Sequence, residues 1–208
     1  MSVEPIALPV DEGKQPERKG RYDVESLLAV AVQVFQERGY DGTSMDELAR
    51  AAGITKSSFY HHVKGKEELL RRSLDRALGG LFAALEAAEV GSGRAVDRLE
   101  QLLRGSVAVL VAELPHVTLL LRVRGNSETE RAALARRREF DHRVTALVAA
   151  AMAEGDLRSG ADPALVARLL FGLVNSLTEW YRPGGELGAA ELADGVVELA
   201  LGGLRVPG

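Results

Sequence analysis

The chain has no cysteine among its 208 residues. That excludes a disulfide framework and a zinc site built on thiolates, and it suits a cytosolic compartment. Histidine is scarce as well, at positions 61, 62, 116 and 142, and no Gly-x-Ser-x-Gly segment occurs. A hydrolytic triad on a nucleophile elbow is therefore not expected. Long apolar runs are missing: none reaches the ~20 residues of a membrane span, so no membrane partner is predicted. Met1 to Gly20 carries prolines and charges but no apolar stretch of a secretory signal. Period-two alternation and internal repeats are lacking too, so strands and solenoids are not expected.

The formal net charge is −4, which on its face argues weakly against a partner rich in phosphate. The charge is unevenly placed. Between Arg18 and Lys66 eight basic residues stand against six acidic ones, so a mildly basic end adjoins an acidic remainder.

Apolar content of 46% supplies a sizeable core, and its spacing is helical. Residues 1–20 show no usable period and are expected to form a disordered arm. Leu27, Leu28, Ala31, Val34 and Phe35 then recur at helical spacing before Gly39. In "GYDGTSMDELARAAGI", Ser44 and Glu47 have the spacing of a capping box, Met45, Leu48 and Ala52 share a face, and Gly53 ends the helix. Thr55 opens a third helix whose inner side carries Phe59 and Val63. Helix, glycine turn and helix behind a support helix is the pattern of a helix-turn-helix.

From Lys66 a long helix runs to "GSG" at 91–93. Further helices are predicted from Ala95 to Ala112, from His116 to Gly125 after an interruption at Pro115, and from Glu128 to Glu154. Asp162 and Pro163 then start a helix to about residue 181. It has two apolar faces: Val166, Leu170, Leu173, Leu177 and Trp180 on one, Leu165, Leu169, Gly172 and Ser176 on the other. A last helix carries Leu192, Val196, Leu199 and Leu204. A helix apolar on two sides must be covered on two sides. A self-complementary contact between two copies through the last two helices does this economically, with Gly172 and Ser176 allowing close approach. A monomer with a thicker core is the alternative.

Lys56, Ser57, Ser58, Tyr60, His61 and His62 cluster on the third helix. Such side chains can reach base edges or phosphates in a major groove, or they can form a solvated helix face. The segment "GYDGTSMDELARAAGITKSSFYHHVKGKEELL" resembles the DNA-binding domain of TetR-family transcriptional regulators. The resemblance covers about residues 22–70 and rests on Gly-Tyr, Thr-Ser, Ala-Gly-Ile, the tyrosine, and Lys-Glu-Glu-Leu-Leu. His62-Val63 departs from the aromatic-Phe pair of many members, which bears on base preference and not on fold.

The resemblance implies an all-α chain. Residues 21–66 would form a three-helix helix-turn-helix domain, and residues 67–208 an antiparallel helical domain for ligand binding and dimerisation. It implies a homodimer on a palindromic double-stranded DNA operator, most often as a repressor. Thr43, Ser44, Lys56, Ser57, Ser58, Tyr60, His61 and Lys66 would face DNA, and Arg18, Lys19 and Arg21 would form an arm to backbone or minor groove. Ligand in the second domain would shift the long helix and change the spacing of the two reading helices. No cofactor is expected.

For the effector site, "NSLTEWYRPGG" and "HVTLLLRVRGN" supply the polar groups that a mostly apolar pocket needs. The candidates are His116, Arg122, Phe140, Asn175, Glu179 and Trp180. The ending "WYRPGGELGAAELADGVVELALGGL" resembles regulators that sense acyl-coenzyme A thioesters, whose phosphates would suit arginines such as Arg122 and Arg124. An enzyme alternative exists: Glu113/His116 and Glu139/His142 have the Glu-x-x-His spacing of di-iron carboxylate bundles. Pro115 inside the first pair and the charges of "RRREFDHR" around the second weigh against it.

Overall fold

The computed structural model describes residues 23–204. Arg18, Lys19 and Arg21 lie outside them. The described residues form nine α-helices and no strand.

The head is built from three of them. Helix α1 (Val24–Arg38) starts at Asp23, which accepts the Ser26 amide while the Ser26 hydroxyl answers its backbone. Leu27, Leu28, Ala31, Val34 and Phe35 are its buried face. Helix α2 (Met45–Ala52) has the expected box, with Ser44 and Glu47 each capping the other's backbone amide. Gly53 follows at φ 69°, ψ 26°, a left-handed conformation that costs a residue with a Cβ about 1–2 kcal/mol, and it turns the chain sharply into α3 (Lys56–Tyr60). The third helix is shorter than its apolar spacing suggests. Phe59 is inside it, whereas Val63 lies past its end and is buried from the turn that follows. His61 and His62 belong to that exit and not to a continuous helical face.

Helix α4 (Lys66–Val90) links head to body. The body comprises α5 (Ala95–Ala112), α6 (Leu114–Arg122), α7 (Glu128–Ala153), α8 (Pro163–Trp180) and α9 (Ala189–Gly202). Gly80 and Gly105 let α4 and α5 pack closely. A Cβ on Gly80 would stand 2.8 Å from Val109, and one on Gly105 2.9 Å from Ala84.

Pro115 does not interrupt the chain where expected. It sits in the first turn of α6, where no intrahelical amide is required of it. The break is Glu113, at which α6 leaves α5 with a bend of 101°. Helix α6 also ends earlier than Gly125, at Arg122. The buried Glu130 carboxylate gathers the next amides, at 2.7 Å from Gly125 and from Asn126. On α8, Val166, Leu170 and Leu177 pack inward, while Leu165, Leu169 and Trp180 are 48%, 65% and 51% exposed. Leu199 of α9 is 73% exposed beside buried Val196 and Val197.

Candidate nucleic-acid interface and effector site

Thr55 caps α3, accepting the Ser58 amide at 3.1 Å and donating to its hydroxyl at 2.9 Å. Fully buried Phe59 pins the helix from inside. The opposite side presents Lys56, Ser57, Tyr60 and His61 to solvent, with Ser58 half-buried. Lys56 is paired with Asp46 of α2 at 2.9 Å, and that contact raises the lysine pKa. Any phosphate or base it meets must displace an exposed aspartate. Ser44 is exposed but engaged as the α2 cap.

Two residues expected at the surface turn inward. Thr43 is buried and donates to the Gly39 carbonyl at 2.7 Å. The Lys66 ammonium donates to the carbonyls of Tyr40 at 3.0 Å and Thr43 at 2.8 Å, and stands 4.5 Å from the centre of the Tyr40 ring. Burial pushes the Tyr40 hydroxyl up to about 12, so the ring stays neutral beneath the cation. Lys66 thus ties the α1–α2 loop to the start of α4.

In the body, α4, α5, α6, α7 and α8 together line a small, mostly apolar chamber of about 40 Å³. Leu78, Leu110, Val117, Leu120 and Val174 are among its walls, with Ser106 of α5 as the inner polar group. Phe140 joins the wall in an edge-on aromatic chain, its ring 5.8 Å from Phe82 and 5.1 Å from Phe171. Arg137, Asp141, Phe171 and Asn175 border this chamber and equally an open groove of about 570 Å³ between α7 and α8. The groove carries Arg137, Arg138 and Arg168 against one carboxylate, Asp141, with His142 alongside.

The N-terminal helices match the family model for bacterial regulatory proteins of the tetR family over residues 27–72. Residues 92–204 match the tetracyclin repressor-like C-terminal domain. The chain belongs to the TetR family. It is a ligand-responsive, DNA-binding transcriptional regulator. The transcriptional repressor KstR2 of Rhodococcus jostii is 32% identical over 195 residues, which span 87% of this chain and 90% of that protein. A TetR-family regulator from Streptomyces coelicolor shares 59% identity at a TM-score of 0.81, over 89% of this chain and 94% of its own. AibR, solved with isovaleryl coenzyme A and operator DNA, shares 27% identity at a TM-score of 0.71, over 84% and 96%.

Within this TetR frame the predicted effector residues separate. Phe140 and Asn175 border the chamber. His116 is buried next to it but does not line it; its Nδ1 is 2.9 Å from the Ser73 hydroxyl. Burial, reinforced by the nearby Arg76 cation, lowers the His116 pKa. Arg122 turns away from the chamber and donates to the Gln36 carbonyl of α1 at 3.1 Å. Arg124 is exposed on the loop after α6. Glu179 and Trp180 are exposed at the far end of α8, where Trp180 borders a shallow surface pocket with Leu187.

The di-iron pairs do not converge. Glu113 binds Arg76 at 2.6 Å, Glu139 and His142 are exposed on α7, and no group of three metal-ligating side chains exists among the described residues. Sequence reasoning passed over the groove arginines. "RRREFDHR" does form a solvated face, as its charge density suggests, but α8 runs beside that face and makes it one wall of a groove. The available signal was the helical spacing of Arg137, Asp141 and Val144 against that of Arg168, Phe171 and Asn175.

Proposed function

We propose that this regulator is a repressor whose effector is an acyl-coenzyme A thioester. The phosphates lie in the arginine groove and the acyl group enters the chamber. The observation that carries this reading is the shared border of groove and chamber at Arg137, Phe171 and Asn175. A polyanionic handle joined to an apolar tail fits a cationic groove that opens onto an apolar chamber, and guanidinium forks match phosphate geometry. The likeness to AibR, solved with such a thioester, supports the same class.

On the DNA side, α3 enters the major groove with Lys56, Ser57 and Ser58 toward base edges and Tyr60 and His61 toward the backbone. Thr43 and Lys66 hold the helix in place without touching DNA. The exposed apolar faces of α8 and α9, centred on Leu165, Leu169 and Leu199, pair two copies and set the two heads on successive half-sites.

The test is calorimetric titration of butyryl-coenzyme A into wild type and into the double variant Arg138→Ala/Arg168→Ala. Neither side chain makes a hydrogen bond or ion pair among the described residues, so the fold is spared. Affinity should fall at least about tenfold, as expected for losing charge-assisted contacts, with operator affinity unchanged in the absence of thioester. Equal affinity in the two proteins would remove the phosphates from this groove.

A further inference from the structure

Hydroxyl groups on α4 to α9 find partners, four of them on their own backbone, while Thr129 donates to Glu67 at 2.9 Å. Thr118 donates to the Leu114 carbonyl at 2.8 Å, Thr145 to Asp141 at 2.8 Å, Ser176 to Leu173 at 2.7 Å and Thr178 to Asn175 at 2.8 Å. The buried Ser73 hydroxyl is satisfied by His116. Ser106 is the exception. Its side chain is fully buried on α5, its Oγ has no hydrogen-bond partner, and it borders the chamber. Burying a hydroxyl without a partner is unfavourable, and such groups in native proteins usually answer to a ligand or a bound solvent molecule. The lining of the chamber is mostly hydrocarbon. Its other polar borders, Arg137, Asp141 and Asn175, are those shared with the groove. A bound water needs two to four partners, whereas a ligand oxygen held by its own carbon skeleton is satisfied by the Ser106 hydroxyl alone.

We infer that the acyl group of the effector carries an oxygen function, a hydroxyl or a carbonyl, that meets the Ser106 hydroxyl inside the chamber. Ser106 is then a specificity-determining residue that separates oxygenated acyl thioesters from plain hydrocarbon ones. This rests on the acyl-coenzyme A reading above. It adds to that reading the chemical class of the acyl part, which the arginine groove does not distinguish. A small chamber of about 40 Å³ favours a short acyl chain, so that the oxygen is never far from the thioester. Discrimination is expected to be large relative to the size of the group, because a hydrogen-bonding site left unpaired by a plain analogue penalises that analogue.

The experiment is calorimetry on the full-length protein with butyryl-, 3-hydroxybutyryl- and 4-hydroxybutyryl-coenzyme A, each titrated into wild type and Ser106→Ala. Operator binding serves as the check that the variant is folded; alanine is smaller than serine and helix-compatible. At least one hydroxylated thioester should bind wild type about fivefold or more tightly than butyryl-coenzyme A. Ser106→Ala should lose that margin and bind butyryl-coenzyme A as well as wild type or better. Equal binding of all three thioesters to wild type, or a margin that survives in Ser106→Ala, overturns the inference and leaves the acyl-coenzyme A reading standing. Failure of all three to bind wild type overturns both.

Discussion

The head and the body solve opposite problems with the same element. In the head a five-residue helix, α3, is held by one buried aromatic, Phe59, so that Lys56, Ser57 and Tyr60 face outward. In the body five helices turn apolar sides toward one another and leave a small space among them. The head exposes polar groups that must meet a large, rigid, anionic surface. The body buries one hydroxyl without a partner among the described residues, Ser106, at the edge of that space. A surface reader tolerates variation in side chains as long as its support is fixed. A site lined by several helices depends on how all of them pack.

The difference is sharpest at Phe59. Phe59→Ala removes the anchor of a helix too short to persist alone, at about 3–5 kcal/mol for a buried phenylalanine. Operator affinity should fall by about two orders of magnitude or more, while butyryl-coenzyme A binding, remote from α3, stays within about threefold. Operator anisotropy and calorimetry on the same preparation check both. If thioester binding collapses alongside operator binding, head and body form one cooperative unit and their separation fails.

This division also explains what could be read from the sequence. The head lies within residues 23–66, so its caps, turn glycine and anchor stand close together in the chain and follow local rules. Ser44–Glu47, Gly53 and Phe59 are where those rules put them. The failures there concern direction. Thr43 and Lys66 are polar residues of the type that meets DNA, yet they bond to carbonyls of residues 39–43, and main-chain carbonyls carry no sequence signature. In the body the helices themselves were legible from apolar spacing, down to the start of α8 at Pro163. The site was legible only in part. Phe140 and Asn175 were expected and do border the chamber, whereas Ser106 and Arg168 were not, because they join the site only through the way α5, α7 and α8 pack. Trp180 misled for the complementary reason. A lone large aromatic suggests a pocket, but its position on α8 points out of the bundle.

Between the two regions lies α6, and it gives the comparison its second test. One side of α6 lines the chamber with Val117 and Leu120. Another side grips α1: the Gln36 side chain donates to the Pro115 carbonyl at 2.6 Å, and Arg122 donates to the Gln36 carbonyl at 3.1 Å. An acyl group that displaces α6 therefore pulls on α1. Coupling between sites is reciprocal and typically about 1–3 kcal/mol. Arg122→Ala/Gln36→Ala should keep operator and thioester affinities each within about threefold and cut the coupling between them about tenfold, near the value of two hydrogen bonds. Thioester titrations with and without operator DNA measure it. Undiminished coupling would move the transmission to α4.

The smallest effect expected is on pH, and it comes from the same seam. His116 sits on α6 against Ser73 and Arg76 of α4, with Glu113 and Glu25 of α1 nearby. Burial and the Arg76 cation disfavour its protonated form, while the two carboxylates partly oppose them. Its folded pKa lies below the ordinary 6.5, so the unfolded chain takes up a proton that the folded chain refuses. Stability due to this residue is present above about pH 6.5, declines as pH falls toward the folded pKa, and is level below it. The paired carboxylates Glu47, Glu68 and Glu89 are also held low, but their ordinary value is 4.5, so their loss comes at lower pH. Urea midpoints between about pH 8 and about pH 5 should fall for wild type and fall less for His116→Gln, which keeps a polar partner for Ser73. Parallel profiles for the two proteins would mean that the seam between head and body accommodates a charged His116 at no cost.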